Sequence, residues 1–253
     1  MGNKYKLLAL DLDGTLLTDD KKITRKTKKR IRQAMKSGVH VVFATGRGIQ
    51  TAKKYWKELG LKGSMVFVNG AEVWRGPGKI LKRNFICSED IKKLHQLAVD
   101  MDAWFWGYSV DSLVHREEWT EEMFAKDWLK FGIRCEDPGL LKDLWNKIDS
   151  WGTLEVTQSA PVNLEISLKG VTKESGILEV CKELEIDMKE VMAAGDSMND
   201  LSLLRAAGLG VAMGNAIDAI KEVADVVTDT NQNEGVAKAI EKYILTKQLN
   251  KSN

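Results

Sequence analysis

Four short apolar segments along the chain each end in a burst of polar residues. They are KLLALDLDG, VHVVFATGR, MVFVNGA and EVMAAGDSMND. The apolar parts are aliphatic and often β-branched, and they do not alternate with polar residues, which favours strands that are buried on both faces of a parallel sheet. The pattern therefore predicts four strands of one such sheet.

Segments with helical spacing separate these strands. Residues 24–37 carry apolar side chains at Ile31, Ala34 and Met35 and stop at Gly38, Ile49–Leu59 stops at Gly60, and Lys173–Leu184 precedes the fourth strand. Alternation of strand and helix predicts an α/β class fold, with a doubly wound, mostly parallel-sheet, Rossmann-like core. Because ligands bind beyond the carboxyl ends of strands in such sheets, the four polar bursts are expected to meet at one edge.

The middle of the chain has a different pattern. Alternating strands and amphipathic helices predict a smaller α+β module with an antiparallel sheet, and six of the eight tryptophans lie between Trp104 and Trp151. We expect residues 86–162 to form a cap inserted into a core made of residues 1–85 and 163–253, with hinges near residues 76–78 and 160–161. The predicted cap elements are helices at 88–100, 120–131 and after Pro138, and strands at 104–108, 113–115, 153–157 and 162–168.

Composition narrows the class of protein. Apolar residues make up 43% of the chain and the net charge is only +2, as expected of a globular protein without a nucleic-acid or membrane partner. One basic cluster, Lys21 to Arg32, reads as a solvated helix face. Three widely spaced cysteines and no signal-like N-terminal segment favour the cytoplasm, and we expect a monomer or a small homo-oligomer.

Oxygen-bearing side chains dominate the polar bursts. Asp11 and Asp13 follow the first strand, Thr45-Gly46-Arg47 the second, and Asp196 to Asp200 the fourth. Each motif alone can be a strand end, a turn or a helix cap, as can Asn69-Gly70 after the third strand. Together they place Asp11, Asp13, Asp196 and Asp200 around one point, where their repulsion calls for a hard cation such as Mg²⁺.

The motifs DLDGTLL, TGR, Lys173 and GDSMND resemble, in order and spacing, those of haloacid dehalogenase-like phosphatases, and the segment AGLGVAMGNA resembles their Cof-type branch. The resemblance covers the whole predicted core, and the insert lies where that branch carries its cap. It implies a Mg²⁺-dependent phosphatase that acts on small phosphorylated metabolites, with sugar phosphates first, through an aspartyl-phosphate intermediate.

The same resemblance assigns roles to residues. Asp11 would be the nucleophile, and Asp13 the acid that protonates the leaving oxygen and then the base that activates water. Mg²⁺ would be held by the Asp11 and Asp196 carboxylates and the Asp13 main-chain carbonyl, with Asp200 behind them. The groups expected to bind the phosphoryl oxygens are the Leu12 and Gly46 N–H groups, Thr45, Lys173 and Asn199.

Two other functions share parts of this chemistry. A phospho-accepting receiver domain also clusters acids with a Thr and a Lys, but it lacks an acid two residues after its nucleophile and an inserted cap. A phosphomutase shares the core chemistry and stays open as an alternative, which release of free phosphate would separate. The Trp104-Phe105-Trp106 run is either cap core or an aromatic platform for substrate.

Overall fold

The computed structural model describes residues 3–246 and contains thirteen strands and eight α-helices in that range. In chain order the strands are β1 Leu7–Leu10, β2 His40–Phe43, β3 Met65–Phe67, β4 Glu72–Gly76, β5 Lys79–Arg83, β6 Trp104–Ser109, β7 Leu113–His115, β8 Trp128–Arg134, β9 Leu154–Thr157, β10 Asn163–Leu168, β11 Val191–Gly195, β12 Leu209–Ala212 and β13 Val226–Val227. The helices are α1 Arg25–Lys36, α2 Ile49–Leu59, α3 Ser88–Asp100, α4 Pro138–Asp149, α5 Lys173–Leu184, α6 Leu201–Ala206, α7 Asp218–Val223 and α8 Gly235–Ile240.

A parallel five-stranded sheet, in the order β13-β12-β11-β1-β2, forms the centre of the core. All four residues of β1 are fully buried, as the unbroken apolar run predicts for a strand covered on both faces. Helix α1 begins where the Thr24 hydroxyl accepts a hydrogen bond from the Thr27 N–H, and α2 ends at Gly60 in the left-handed conformation. The predicted α/β class and mostly parallel core are confirmed.

The third predicted strand departs from this sheet. β3 pairs antiparallel with β4, which pairs with β5, and only an isolated bridge between Ala44 and Val66 joins β3 to the end of β2. Residues 76–78, predicted as a hinge, instead lie at the end of β4 and in the short turn that leads to β5. Gly78 adopts a φ of 73° in this turn, a conformation that glycine permits.

A second, antiparallel sheet, in the order β7-β6-β8-β10-β9, forms the insert together with α3 and α4. β10 pairs with β8 and β9, so the division between the sheets falls after Leu168 and not before Asn163, where the sequence placed it. The pair at 160–161 lies in the loop from β9 to β10 and is not a hinge. The remaining limits of core and insert stay a prediction.

The predicted helix at residues 120–131 is wrong. The structure has a short 3₁₀ turn at Glu121–Ala125 and then β8, whose neighbours β6 and β10 hydrogen-bond to it on both sides. A central strand that is buried on both faces need not alternate apolar and polar residues, so its sequence can show helical spacing. Here pairing with two neighbouring strands determines the structure instead. The insert has its own apolar core, which includes Trp128 and Phe131. No helix in the described part of the chain has both the length and the apolar character to span a membrane.

Candidate active site

Three carboxylates and one lysine meet at the carboxyl ends of β1 and β11. One carboxylate oxygen from each of Asp11, Asp196 and Asp200 lies within 4.8 Å of the others. Lys173, the first residue of α5, is 1% exposed, and its Nζ donates to Oδ1 of Asp11 and to Oδ1 of Asp200, each at 2.7 Å. The polar loops after the first and fourth predicted strands therefore do meet at one edge of the sheet.

The cluster carries more negative charge than its lysine balances. Burial raises the pKa of Asp11 well above its usual range, although Lys173 opposes this, and burial with the Asp200 charge nearby raises the pKa of Asp196 to about 7. When all three carboxyl groups are ionised, they face the single ammonium of Lys173, and two negative charges stay uncompensated. An all-oxygen donor set with this charge fits a divalent hard cation such as Mg²⁺.

The loop residues around Asp196 keep its carboxylate in place. The Thr15 hydroxyl donates to Asp196 Oδ1 at 2.8 Å. A Cβ atom on Gly14 would lie 2.3 Å from Asp196 Oδ2, so only glycine allows this close approach at a φ of 74°. Asp200 uses its second oxygen to accept from the N–H groups of Asp196 and Ser197, at 3.0 and 3.1 Å. Asp200 thus supports both the lysine and the loop.

Asp13 lies on the solvent side of this cluster and is held by two cations. Arg47 donates to both of its oxygens, at 2.5 and 2.7 Å, and Lys21 Nζ donates at 2.7 Å. Burial by itself would raise the pKa of Asp13, but these hydrogen bonds and charges outweigh it and lower the pKa to about 2. Lys21, expected on a solvated helix face, instead lies in the loop before α1 and contacts Asp13.

Three of the residues predicted to bind phosphoryl oxygens, Thr45, Gly46 and Asn199, line one cavity of about 200 Å³ together with Asp11 and Asp13. Lys173 instead lines a second cavity that shares Asn199, and Leu12 lines neither. Among residues 3–246, the N–H groups of Leu12 and Gly46 donate no hydrogen bond to another backbone or side-chain group. The Thr45 hydroxyl accepts from the Arg47 N–H at 3.2 Å. Free amides beside buried carboxylates are suited to an anionic group that arrives with a cation. The individual roles stay predictions.

The insert closes the other side of this cavity with Trp106, Tyr108, Lys130, Ser159 and Glu165. Trp106 lies flat on β8, since a Cβ atom on Gly132 would come within 2.2 Å of its ring. Lys130 and Glu165 form a buried ion pair with 3.1 Å between Nζ and Oε1. The cavity therefore takes its walls from both sheets, and the aromatic run contributes a wall through Trp106 as well as core through Phe105.

Sequence reasoning missed several of these residues. Thr15 and Arg47 belong to the motifs DLDGT and TGR, and their positions in these motifs could have identified them as site residues. Lys130 and Glu165 are single charges inside the apolar runs WLKFGI and NLEISL. A lone charge in a buried strand needs a partner, which marks such positions even without a structure.

The chain is similar to known proteins over most of its length. A family model for haloacid dehalogenase-like hydrolases matches residues 8–137 and 125–240. A 5-amino-6-(5-phospho-D-ribitylamino)uracil phosphatase from Bacillus subtilis is 38% identical, over 95% of this chain and 96% of its own length. A phosphoglycolate phosphatase from Methanobrevibacter smithii is 30% identical, over 94% of this chain and 98% of its own.

A solved structure of a haloacid dehalogenase-like hydrolase from B. subtilis covers 94% of this chain and 100% of its own, with a TM-score of 0.87 and 25% sequence identity. The similarity therefore includes both the core and the insert. The two relatives named above are phosphatases named for different substrates.

Proposed function

Because the chain belongs to the haloacid dehalogenase-like hydrolases and is a phosphatase, we propose that it hydrolyses small phosphorylated metabolites with Mg²⁺ through an aspartyl phosphate on Asp11. The observation that carries this proposal is the cluster of buried Asp11, Asp200 and Lys173 with half-buried Asp196 at the strand ends, next to a cavity that Asp13 also lines. A purely structural role does not explain three carboxylates gathered beside one lysine, since their mutual repulsion costs stability.

In the first half of the proposed reaction, Asp11 Oδ attacks phosphorus and the ester P–O bond breaks. Asp13 gives a proton to the leaving oxygen, which requires Arg47 and Lys21 to release its carboxyl group first, because their contacts lower its pKa to about 2. Water then attacks the aspartyl phosphate, Asp13 takes up a proton from that water, and the bond between Asp11 and phosphorus breaks to release phosphate. One carboxyl group serves in both halves because the second regenerates the protonation state that the first consumed.

The remaining residues hold the phosphoryl group and its charge. Asp11 and Asp196, with the Asp13 carbonyl, would hold Mg²⁺, which supplies charge neutralisation when bound. Lys173, Thr45, Asn199 and the free N–H groups of Leu12 and Gly46 would bind the phosphoryl oxygens, and Asp200 would orient Lys173. Support comes from the 2.7 Å contacts of Lys173 and from the two unpaired amides. Such preorganised charge supplies most of the rate in phosphoryl transfer.

For the substrate we propose a phosphorylated sugar or sugar alcohol. The relative that is 38% identical is named for a phosphate carried on a ribityl chain, which makes the ribitylaminouracil phosphate a second specific candidate. Trp106 offers a flat apolar wall to a ring at this cavity. Release of phosphate from a panel of metabolites that contains both types would rank them.

The metal and the reaction type can be tested together. Chelation should abolish phosphate release, Mg²⁺ should restore it, and Ca²⁺ should inhibit, since its looser and higher coordination disturbs in-line geometry. Full turnover in excess chelator would refute the Mg²⁺ requirement. Transfer of the phosphoryl group back to the substrate without free phosphate would identify a phosphomutase instead.

A further inference from the structure

Lys130 of the insert reaches across to the core. Its side chain is 2% exposed, and Nζ donates to the main-chain carbonyl of Gly46 at 2.8 Å. The same ammonium lies 3.1 Å from Glu165 Oε1 and 5.2 Å from the centre of the Tyr108 ring. Lys130 therefore joins β8 of the insert to the loop that follows β2 of the core.

Glu165 on the neighbouring strand β10 makes a second connection. Its Oε2 accepts from Asn69 Nδ2 at 2.6 Å, and its Oε1 accepts from the Ser159 hydroxyl at 2.9 Å. Asn69 Oδ1 in turn accepts from Asn199 Nδ2 at 3.3 Å. Burial would raise the pKa of Glu165, but Lys130 and the hydrogen bond from Asn69 outweigh it and lower the pKa, so the carboxylate is ionised.

These contacts fix one peptide group from both sides. The carbonyl of the Gly46–Arg47 peptide accepts from Lys130 of the insert, and the N–H of the same peptide donates to the Thr45 hydroxyl of the core. The loop is also closely packed, since a Cβ atom on Gly46 would lie 3.1 Å from Glu165 Oε2 and 3.0 Å from Asn69 Oδ1. Rotation of this peptide would therefore break its contact with the insert as well as its contact with Thr45.

We propose that Lys130 and Glu165 are positioning residues that hold the Thr45-Gly46-Arg47 loop in the shape that receives the phosphoryl group. This inference rests on the function proposed above. Its consequence is that the insert contributes to the rate with every ester, including one whose leaving group makes no contact with the insert. A pair that only recognised the leaving group would leave binding of a free phosphate ion unchanged.

The first test compares Lys130→Met with the conservative Lys130→Arg. We expect kcat for p-nitrophenyl phosphate and for a sugar phosphate to fall together, on the order of 10-fold, in Lys130→Met, because small misplacement of a binding loop is costly in rate. Lys130→Arg should recover part of this loss. The affinity of the Mg²⁺-loaded protein for inorganic phosphate, measured by calorimetry, should fall in parallel.

Lys169→Met is the control. Lys169 directly follows β10 and pairs with two acids of the insert, Asp149 and Glu155, but it makes no contact with Gly46 and is half exposed. It should leave phosphate affinity and kcat unchanged. If Lys130→Met does not fold, Lys130→Met/Glu165→Gln replaces it, since the double variant leaves no unpaired charge.

A second measurement does not depend on activity. Hydrogen exchange at the Arg47 and Asn69 amides, whose acceptors are the Thr45 hydroxyl and carbonyl, should be faster in Lys130→Met than in the wild type. Unchanged exchange and unchanged phosphate affinity in a folded variant would overturn the positioning role. A wild type that releases phosphate from no ester would refute the proposed function instead, while the exchange experiment would still decide on the loop.

Discussion

Two buried lysines, one in the core and one in the insert, lie on opposite sides of the candidate site. Lys173 starts a helix and contacts the carboxylates of Asp11 and Asp200, whereas Lys130 lies within a strand and contacts a main-chain carbonyl and Glu165. Both have less than 3% of their surface exposed. The first contacts groups proposed to react or to hold the metal, and the second contacts groups that shape a loop.

The effect of removing a buried charge on rate and stability depends on which groups it contacts. Removing Lys173 would leave two carboxylates and a metal site without their local counter-charge. Removing Lys130 would leave one carboxylate that keeps hydrogen bonds from Asn69 and Ser159. Loss of the core lysine should therefore affect both chemistry and stability, and loss of the insert lysine should affect mainly geometry.

The largest effect is expected where the proposed chemistry begins. Asp11→Asn removes the nucleophile, and Asp13→Asn removes proton transfer, so each should lower kcat on the order of 10²-fold or more. Only the Asp11 variant should fail to form an aspartyl phosphate. Mass spectrometry of the protein quenched during turnover checks this. An Asp11→Asn protein phosphorylated at another aspartate would contradict the assignment.

Lys173→Met tests the role of the buried core lysine. We expect a loss of kcat on the order of 10²-fold, and a loss of unfolding free energy of about 3–5 kcal/mol, because the variant leaves buried carboxylates unpaired. Thermal denaturation with and without Mg²⁺ measures the second effect, and the cation should restore part of the stability. Stability equal to that of the wild type would mean that Lys173 does not balance the cluster.

The core residues of the candidate site could be predicted from the sequence, whereas the insert residue Lys130 could not. Asp11, Thr45 and Asp196 follow unbroken apolar strands, and parallel strands bring their carboxyl ends to one edge whatever the details of packing. Lys130 stands in a segment whose helical spacing was misleading, and its contact with Gly46 depends on how the two sheets dock. No local pattern specifies such docking.

The limits of helices and strands also differ in how well the sequence predicts them. The limits of α2 and α5 agree with the sequence because Gly60 and the Thr172 cap act locally. Those of α3 agree as well, although its N-cap residue, Cys87, makes no side-chain hydrogen bond. The end of the insert was misplaced because β10 is apolar enough for either sheet, and only its pairing with β8 and β9 assigns it. For the same reason β3 was expected in the parallel sheet.

The pH dependence of metal binding should reveal the crowded carboxylates. The pKa of Asp196 in the metal-free protein is about 7, so protons compete with Mg²⁺ below that pH. We expect the dissociation constant for Mg²⁺ to rise at least 10-fold for each pH unit below 7, and proton release on binding, because the proton on Asp196 must leave and Asp11, whose pKa is also raised, adds to the effect. Calorimetry in two buffers of different ionisation enthalpy measures both. An affinity that does not change between pH 6 and 8 would show that no such carboxyl binds the ion.

The smallest expected effect concerns the wall of the cavity that only the insert provides. Trp106 lies flat against Gly132 and lines the cavity, while Trp104, 5.5 Å away between ring centres, donates from Nε1 to Glu117 and is not part of the cavity wall. Trp106 makes no hydrogen bond to the Gly46 loop among the described residues, so Trp106→Ala should leave the affinity for inorganic phosphate unchanged.

A ring or sugar chain that stacks on Trp106 should lose apolar contact in this variant. The ratio of kcat/KM between the preferred metabolite and p-nitrophenyl phosphate should therefore fall about 10-fold, the usual scale for a change in one apolar contact surface. Trp104→Ala is the control of equal size and should leave the ratio unchanged. An unchanged ratio in Trp106→Ala, or an equal fall in both variants, would show that this face of the insert does not select the leaving group. A parallel fall in phosphate affinity would instead show that Trp106, like Lys130, helps to position the Thr45-Gly46-Arg47 loop.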